Sequence, residues 1–83
     1  MTGETRDIRL KRLAMRSMRR GTKEMDILLI RFSEAHLAAL SDAELDAYEA
    51  LLAENDQDLY QWISGQVPAP EAHQDMVARV AAV

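Results

Sequence analysis

Eighty-three residues and 9.4 kDa leave room for one hydrophobic core, and 48% hydrophobic with 29% charged residues is the composition of a folded chain, not a disordered tail. With no cysteine, disulfides, thiolate nucleophiles and cysteine-based zinc or iron–sulfur sites are excluded; three glycines and two prolines are too few for a many-stranded barrel, which turns every ~8–12 residues. The net charge of −4 sums two unlike regions: residues 1–24 carry eight basic and three acidic side chains, a net of +5, and residues 25–83 carry two and eleven, a net of −9.

The first segment, about Thr5 to Arg19, places Leu10, Leu13, Ala14 and Met18 at spacings of three and four among arginines, which predicts an amphipathic helix. Gly21 is expected to end it in the left-handed conformation, with Arg19 and Arg20 suited to the carbonyl end of the helix dipole. A second helix starts at Gly21 or Thr22, carries Glu24 in its first turn, and ends between Ser33 and Ala39. Its stripe of Met25, Leu28, Leu29 and Phe32, widened by Ile27 and Ile30, makes it the expected centre of the fold.

Ser41 and Glu44 have the spacing of a capping box, with Leu40 and Leu45 placed as a hydrophobic staple. The third helix then runs to about Glu54 with Leu45, Tyr48, Leu51 and Leu52 inward. Asn55 or Asp56 caps a fourth helix bearing Leu59, Trp62 and Ile63, and Gly65 ends it. Trp62 reads as core, or as a half-exposed interface anchor. After the connector Val67 to Pro70, Pro70 opens a short fifth helix to Val83 with His73, Met76, Val77, Val80 and Ala81 on one face. The expectation is a single all-α domain over residues 1–83, a small irregular bundle of about five helices.

Catalytic or metal chemistry finds little footing. His36 and His73 lack the spacing that sets two ligands on one helical face, and the glycines are too scattered for a phosphate loop. Ser17, Ser33, Ser41 and Ser64 have no base in a readable motif, and pairs such as Asp56 with Asp58 fall at helix starts, where they compensate the dipole. The longest aliphatic run, Ile27 to Ile30, is far short of the ~18 apolar residues of a membrane span. No secretory signal is apparent; the Arg-rich opening resembles a mitochondrial presequence in composition, but its removal would take a helix from a domain with no core to spare. A bacterial cytoplasmic location is expected.

The corner from Arg19 to Asp26 stands apart. A tight turn holding clustered basic residues, a glycine and carboxylates can be a plain helix–helix corner, or a surface that grips a carboxylate, a phosphate or an ion-pair partner.

The stretch Arg20-Gly21-Thr22-Lys23-Glu24 resembles the R-G-x-x-E motif of the succinate dehydrogenase assembly factor family, small flavinylation factors of bacteria and mitochondria. Upstream, Arg12 to Ser17 is similar to that family's Arg-rich first helix; downstream, Met25 to Leu29 resembles its aspartate-plus-aliphatics pattern. Leu40 to Glu44 resembles its capped third helix and Asp56 to Ile63 its D-x-D-L-x-x-W-I block. The likeness covers roughly Arg9 to Pro70, leaving the C-terminal helix of about residues 70–83 beyond it. Ile30 and Gln57, where relatives often have glycine and proline, are its departures, and both are expected to lie away from the corner.

The resemblance implies an accessory factor, not an enzyme. It would bind the flavoprotein subunit of succinate dehydrogenase, and in some relatives that of fumarate reductase, and promote covalent FAD attachment there, with no cofactor of its own. The implied client-binding residues are Arg20, Gly21 and Glu24, flanked by Arg16, Arg19, Lys23 and Asp26. Two alternatives use the same features: a helical adaptor for an unrelated partner, and a nucleic-acid binder working through the basic first helix. The latter lacks an aromatic residue among its cations to stack on bases.

Overall fold

Five α-helices joined by short turns make up the described residues, 4–18 and 21–83, of the computed structural model, and no strand occurs among them. They are α1 (Arg6–Met18), α2 (Lys23–His36), α3 (Asp42–Leu52), α4 (Asp56–Ile63) and α5 (Gln74–Ala81), with 3-10 turns at Leu37–Ala39 and Glu71–His73. Arg19 and Arg20, with the helix end and dipole role expected of them, lie outside the described residues.

Local chemistry sets the boundaries. The Thr22 hydroxyl accepts the Met25 N–H at 3.3 Å and caps α2. Ser41 and Glu44 form the full capping box, Glu44 N–H to Ser41 Oγ at 3.2 Å and Ser41 N–H to Glu44 Oε1 at 2.7 Å. Asn55 caps α4 by accepting the Asp58 N–H at 2.9 Å. Gly65, at φ +83°, follows the end of α4, and the Ser64 N–H still reaches the Tyr60 carbonyl at 2.9 Å. α3 ends at Leu52, short of the expected Glu54, because the last donors shift to tighter bonds: Ala53 N–H to Ala50 and Glu54 N–H to Leu51.

α2 packs against α1, α4 and α5, the central place its sequence suggested. Leu13, Met25, Leu29, Phe32, Leu45, Tyr48, Leu51, Leu59 and Val80 are fully buried, with Leu40 and Leu45 both in this cluster. Trp62 and Ile63 are half-buried against it, and Trp62 stacks on the His73 ring at 5.7 Å between centroids.

Four expectations about packing need correction. Met18 is exposed, at 55%, and the inward position goes to Ser17, four residues after Leu13. Ser17 is tolerated there because its hydroxyl donates to the Leu13 carbonyl at 2.8 Å and pairs with the Tyr48 hydroxyl at 2.6 Å. Ile27 and Ala81 are also exposed: α2 and α5 each bury a narrower stripe than their apolar content suggested. Gly21 does not adopt a positive φ; among the described glycines only Gly65 does.

Candidate functional site

The basic helix is paired with the acidic body of the same chain. Arg6 pairs with Asp42 at 2.9 Å and donates to the Leu40 carbonyl, tying α1 to the start of α3. Arg9 pairs with Asp46 at 2.6 Å and Glu49 at 3.2 Å. Arg12 reaches Glu49 at 2.8 Å and Glu4 at 2.7 Å, and Arg16 lies 3.8 Å from Glu49.

The electrostatics follow. Hydrogen bonding to Arg12 holds the carboxyls of Glu49 and Glu4 below the usual range, and the pairing with Asp46 raises Arg9. α1 therefore presents a neutralised face to α3, and the nucleic-acid reading loses Arg6, Arg9, Arg12 and Arg16 as free cations. The same geometry binds residues 6–18 into the bundle, through buried Leu13 and Ser17 as well as the ion pairs.

Of the expected client-binding residues, Arg19 and Arg20 lie outside the described residues. Gly21, Lys23 and Glu24 are exposed together where the chain enters α2, with the exposed side chains of Met18 and Ile27 nearby in sequence on either side. Asp26 is half-buried, and its N–H donates to the Thr22 carbonyl at 3.1 Å within the first turn. Arg16 is turned toward Glu49 instead of the corner.

Sequence reasoning missed the corner's link to α4. The Gly21 N–H donates to the Asp56 carboxylate, and a shallow depression of about 280 Å³ is lined by Thr22, Glu24, Asp56, Gln57 and Tyr60. Read locally, Asp56 is only a helix-start carboxylate, and Gln57, expected away from the corner, lines the same depression as Glu24. The available signal was the D-x-D block itself, which packs two carboxylates into the first turn of α4 where one would suffice.

The histidines are accounted for by packing: His73 Nε2 lies 3.1 Å from Glu54, and His36 rests against the Phe32 ring. Among the described residues no group of three or more acidic or histidine side chains could hold a metal, and no helix is long and apolar enough to cross a membrane.

A family model described as the flavinator of succinate dehydrogenase matches residues 11–83, a span that includes the corner, the depression and all of α2 to α5. The chain belongs to this family.

Among individual proteins, succinate dehydrogenase assembly factor 2, mitochondrial, of Meyerozyma guilliermondii is 44% identical over 77 residues, covering 89% of this chain and 57% of the relative. The Debaryomyces hansenii protein of that name is 46% identical over 61 residues, covering 74% and 43%. The Danio rerio one is 40% identical over 77 residues, covering 90% and 49%. The chain thus spans about half the length of the curated relatives it matches. The resemblance carried by the two motif blocks is borne out at family level. The expected bacterial cytoplasmic location is overturned, because these fungal and zebrafish relatives are named mitochondrial.

Proposed function

We propose that this chain is an assembly factor that binds the flavoprotein subunit of succinate dehydrogenase and promotes covalent attachment of FAD to that subunit. The observation that carries the reading is the family match over residues 11–83, in which the exposed Gly21, Lys23 and Glu24 form an outward corner while the arginines of α1 are occupied by α3. Gly21, Glu24 and the flanking Lys23 are the contact residues in this reading, joined by Arg20 and Arg19 of the same motif. Asp26 supports the corner from the half-buried side, and Arg16, turned toward Glu49, flanks it in sequence only.

The factor works by selective binding. A small bundle shifts a client's conformational population only by its difference in affinity for two client states, so the corner must fit the flavinylation-competent state better than the other. Glu24 offers a carboxylate for a client cation, Lys23 an ammonium for a client anion, and the exposed Ile27, one turn on from Glu24, apolar area. FAD and the residue that becomes bonded to it belong to the client, and the factor contributes no catalytic group. The fumarate reductase flavoprotein is a second client on the same reading.

Covalent flavin fluorescence of the denatured client subunit, measured after incubation with FAD in the presence and absence of this protein, tests the proposal. Addition is expected to raise the covalent signal. Equal signals with each client would sink it.

A further inference from the structure

Asp56 is the first residue of α4, directly after the Asn55 cap, and its Oδ2 accepts the backbone N–H of Gly21 across 35 positions of sequence. Gly21 does not adopt a positive φ, so backbone conformation does not require glycine there. The space beside it is tight instead. A Cβ at Gly21 would lie 3.0 Å from Asp56 Oδ2, and among the described residues no other atom beyond its chain neighbours comes within 4 Å.

From these observations we infer that Asp56 is a positioning residue for the corner: its carboxylate fixes the backbone at Gly21 and thereby sets the direction in which Thr22, Lys23 and Glu24 meet a partner. The inference rests on the proposed function for its consequence, and on geometry alone for the tie itself. A glycine between two helices has the largest conformational freedom of any residue. A hydrogen bond to a charged acceptor is stronger than one to a neutral acceptor, and each degree of freedom fixed before docking lowers the ordering cost of docking. The anchor is itself held: α4 is pinned by fully buried Leu59, and its N-terminus favours a carboxylate. The corner is thus tied to the bundle from α4 as well as through α2. Glycine at position 21 is then a matter of contact: a Cβ there presses on the carboxylate that orients the corner, which must give way by a few tenths of an ångström.

The tie is tested first without a client, by the amide resonance and hydrogen exchange of Gly21 in ¹⁵N-labelled wild type, D56N and D56A. D56N keeps an acceptor oxygen and should leave the Gly21 resonance near its wild-type position with slow exchange; D56A should move it and speed exchange. An unmoved Gly21 amide in D56A overturns the inference, whatever any client does. Affinity for the purified succinate dehydrogenase flavoprotein subunit is measured next. D56A should weaken binding about tenfold, and D56N should keep it within about threefold. G21A should weaken binding in the same direction as D56A, and the losses in the G21A/D56A double variant should fall short of additive, because both remove the Gly21–Asp56 contact. Additive losses, or a D56N loss equal to that of D56A, would also overturn it. If D56A fails to fold, G21A and D56N still decide the question. Failure of wild type to bind the subunit would count against the proposed function and leave the amide result standing.

Discussion

Arg12 and Glu49 form a two-pronged pair, Nη1 to Oε2 at 2.8 Å and Nη2 to Oε1 at 3.2 Å, and Glu49 receives Arg9 as well at 3.2 Å. One carboxylate on α3 therefore holds two arginines of α1, with a third, Arg16, at 3.8 Å. Exposed single ion pairs contribute little, but a two-pronged pair shared in a network contributes more. Glu49→Ala removes the carboxylate these three arginines share, leaving Arg9 to Asp46 and Arg12 to Glu4. The expected cost is about 1 kcal/mol, a fall of about 4–8 °C in the melting midpoint of a domain this size. Melting followed by circular dichroism at low salt and near 1 M salt checks this. The deficit should shrink at high salt, and an unchanged midpoint at low salt would show that the network contributes nothing.

Acid should dismantle the same clamp. Arg12 holds Glu49 and Glu4 below the ordinary carboxylate range, and Glu44 is held low by the Ser41 backbone N–H within the capping box, with Arg79 adding to it. In each case the folded value lies below the unfolded one. Their stabilisation is complete above the ordinary carboxylate value and disappears as pH falls through the depressed folded values. Urea midpoints between pH 7 and pH 2 should therefore stay level near neutrality and drop below the usual carboxylate range, with a shallower drop in Glu49→Gln. An identical drop in that variant would assign the acid sensitivity to other carboxylates.

Helix starts were legible in the sequence because capping is a local code: Thr22, Ser41 and Asn55 each satisfy an amide within three residues. The core of α3 was legible for a related reason, since Leu45, Tyr48, Leu51 and Leu52 follow one helical period. Ser17 was not. A hydroxyl is read as surface until its partner, Tyr48, 31 positions away, is known. The charge split of +5 and −9 was visible, but whether the cations face a partner or α3 depends on how α1 packs, which no local pattern encodes. The corner was visible as a motif, and its tie to Asp56, 35 positions distant, was invisible for the same reason.

Gly65 and Gly21 should respond differently to alanine. Gly65 sits at φ +83° with open space where a Cβ would project, so Gly65→Ala meets backbone strain and no clash. The expected cost is about 1 kcal/mol, read as a lower urea midpoint with binding properties unchanged. Gly21→Ala meets the Asp56 oxygen with no such strain, so it should leave the midpoint nearly intact and change partner binding instead. Equal stability losses in the two variants would contradict this division.

Glu24 offers the sharpest separation of folding from function. Its side chain is exposed in the first turn of α2, so Glu24→Ala removes a helix-start carboxylate worth at most about 0.3–1 kcal/mol, too little to unfold the domain. Gly21→Arg adds bulk where a Cβ alone would lie 3.0 Å from Asp56 Oδ2, at an exposed corner and not in the core. Both variants should keep a wild-type far-ultraviolet circular dichroism spectrum and cooperative melting while losing most of the covalent flavin signal in the client subunit. If either variant melts without cooperativity, the corner is a structural element and its assignment as a contact surface is wrong. If both stay folded and support full flavinylation, the client meets another face of the bundle.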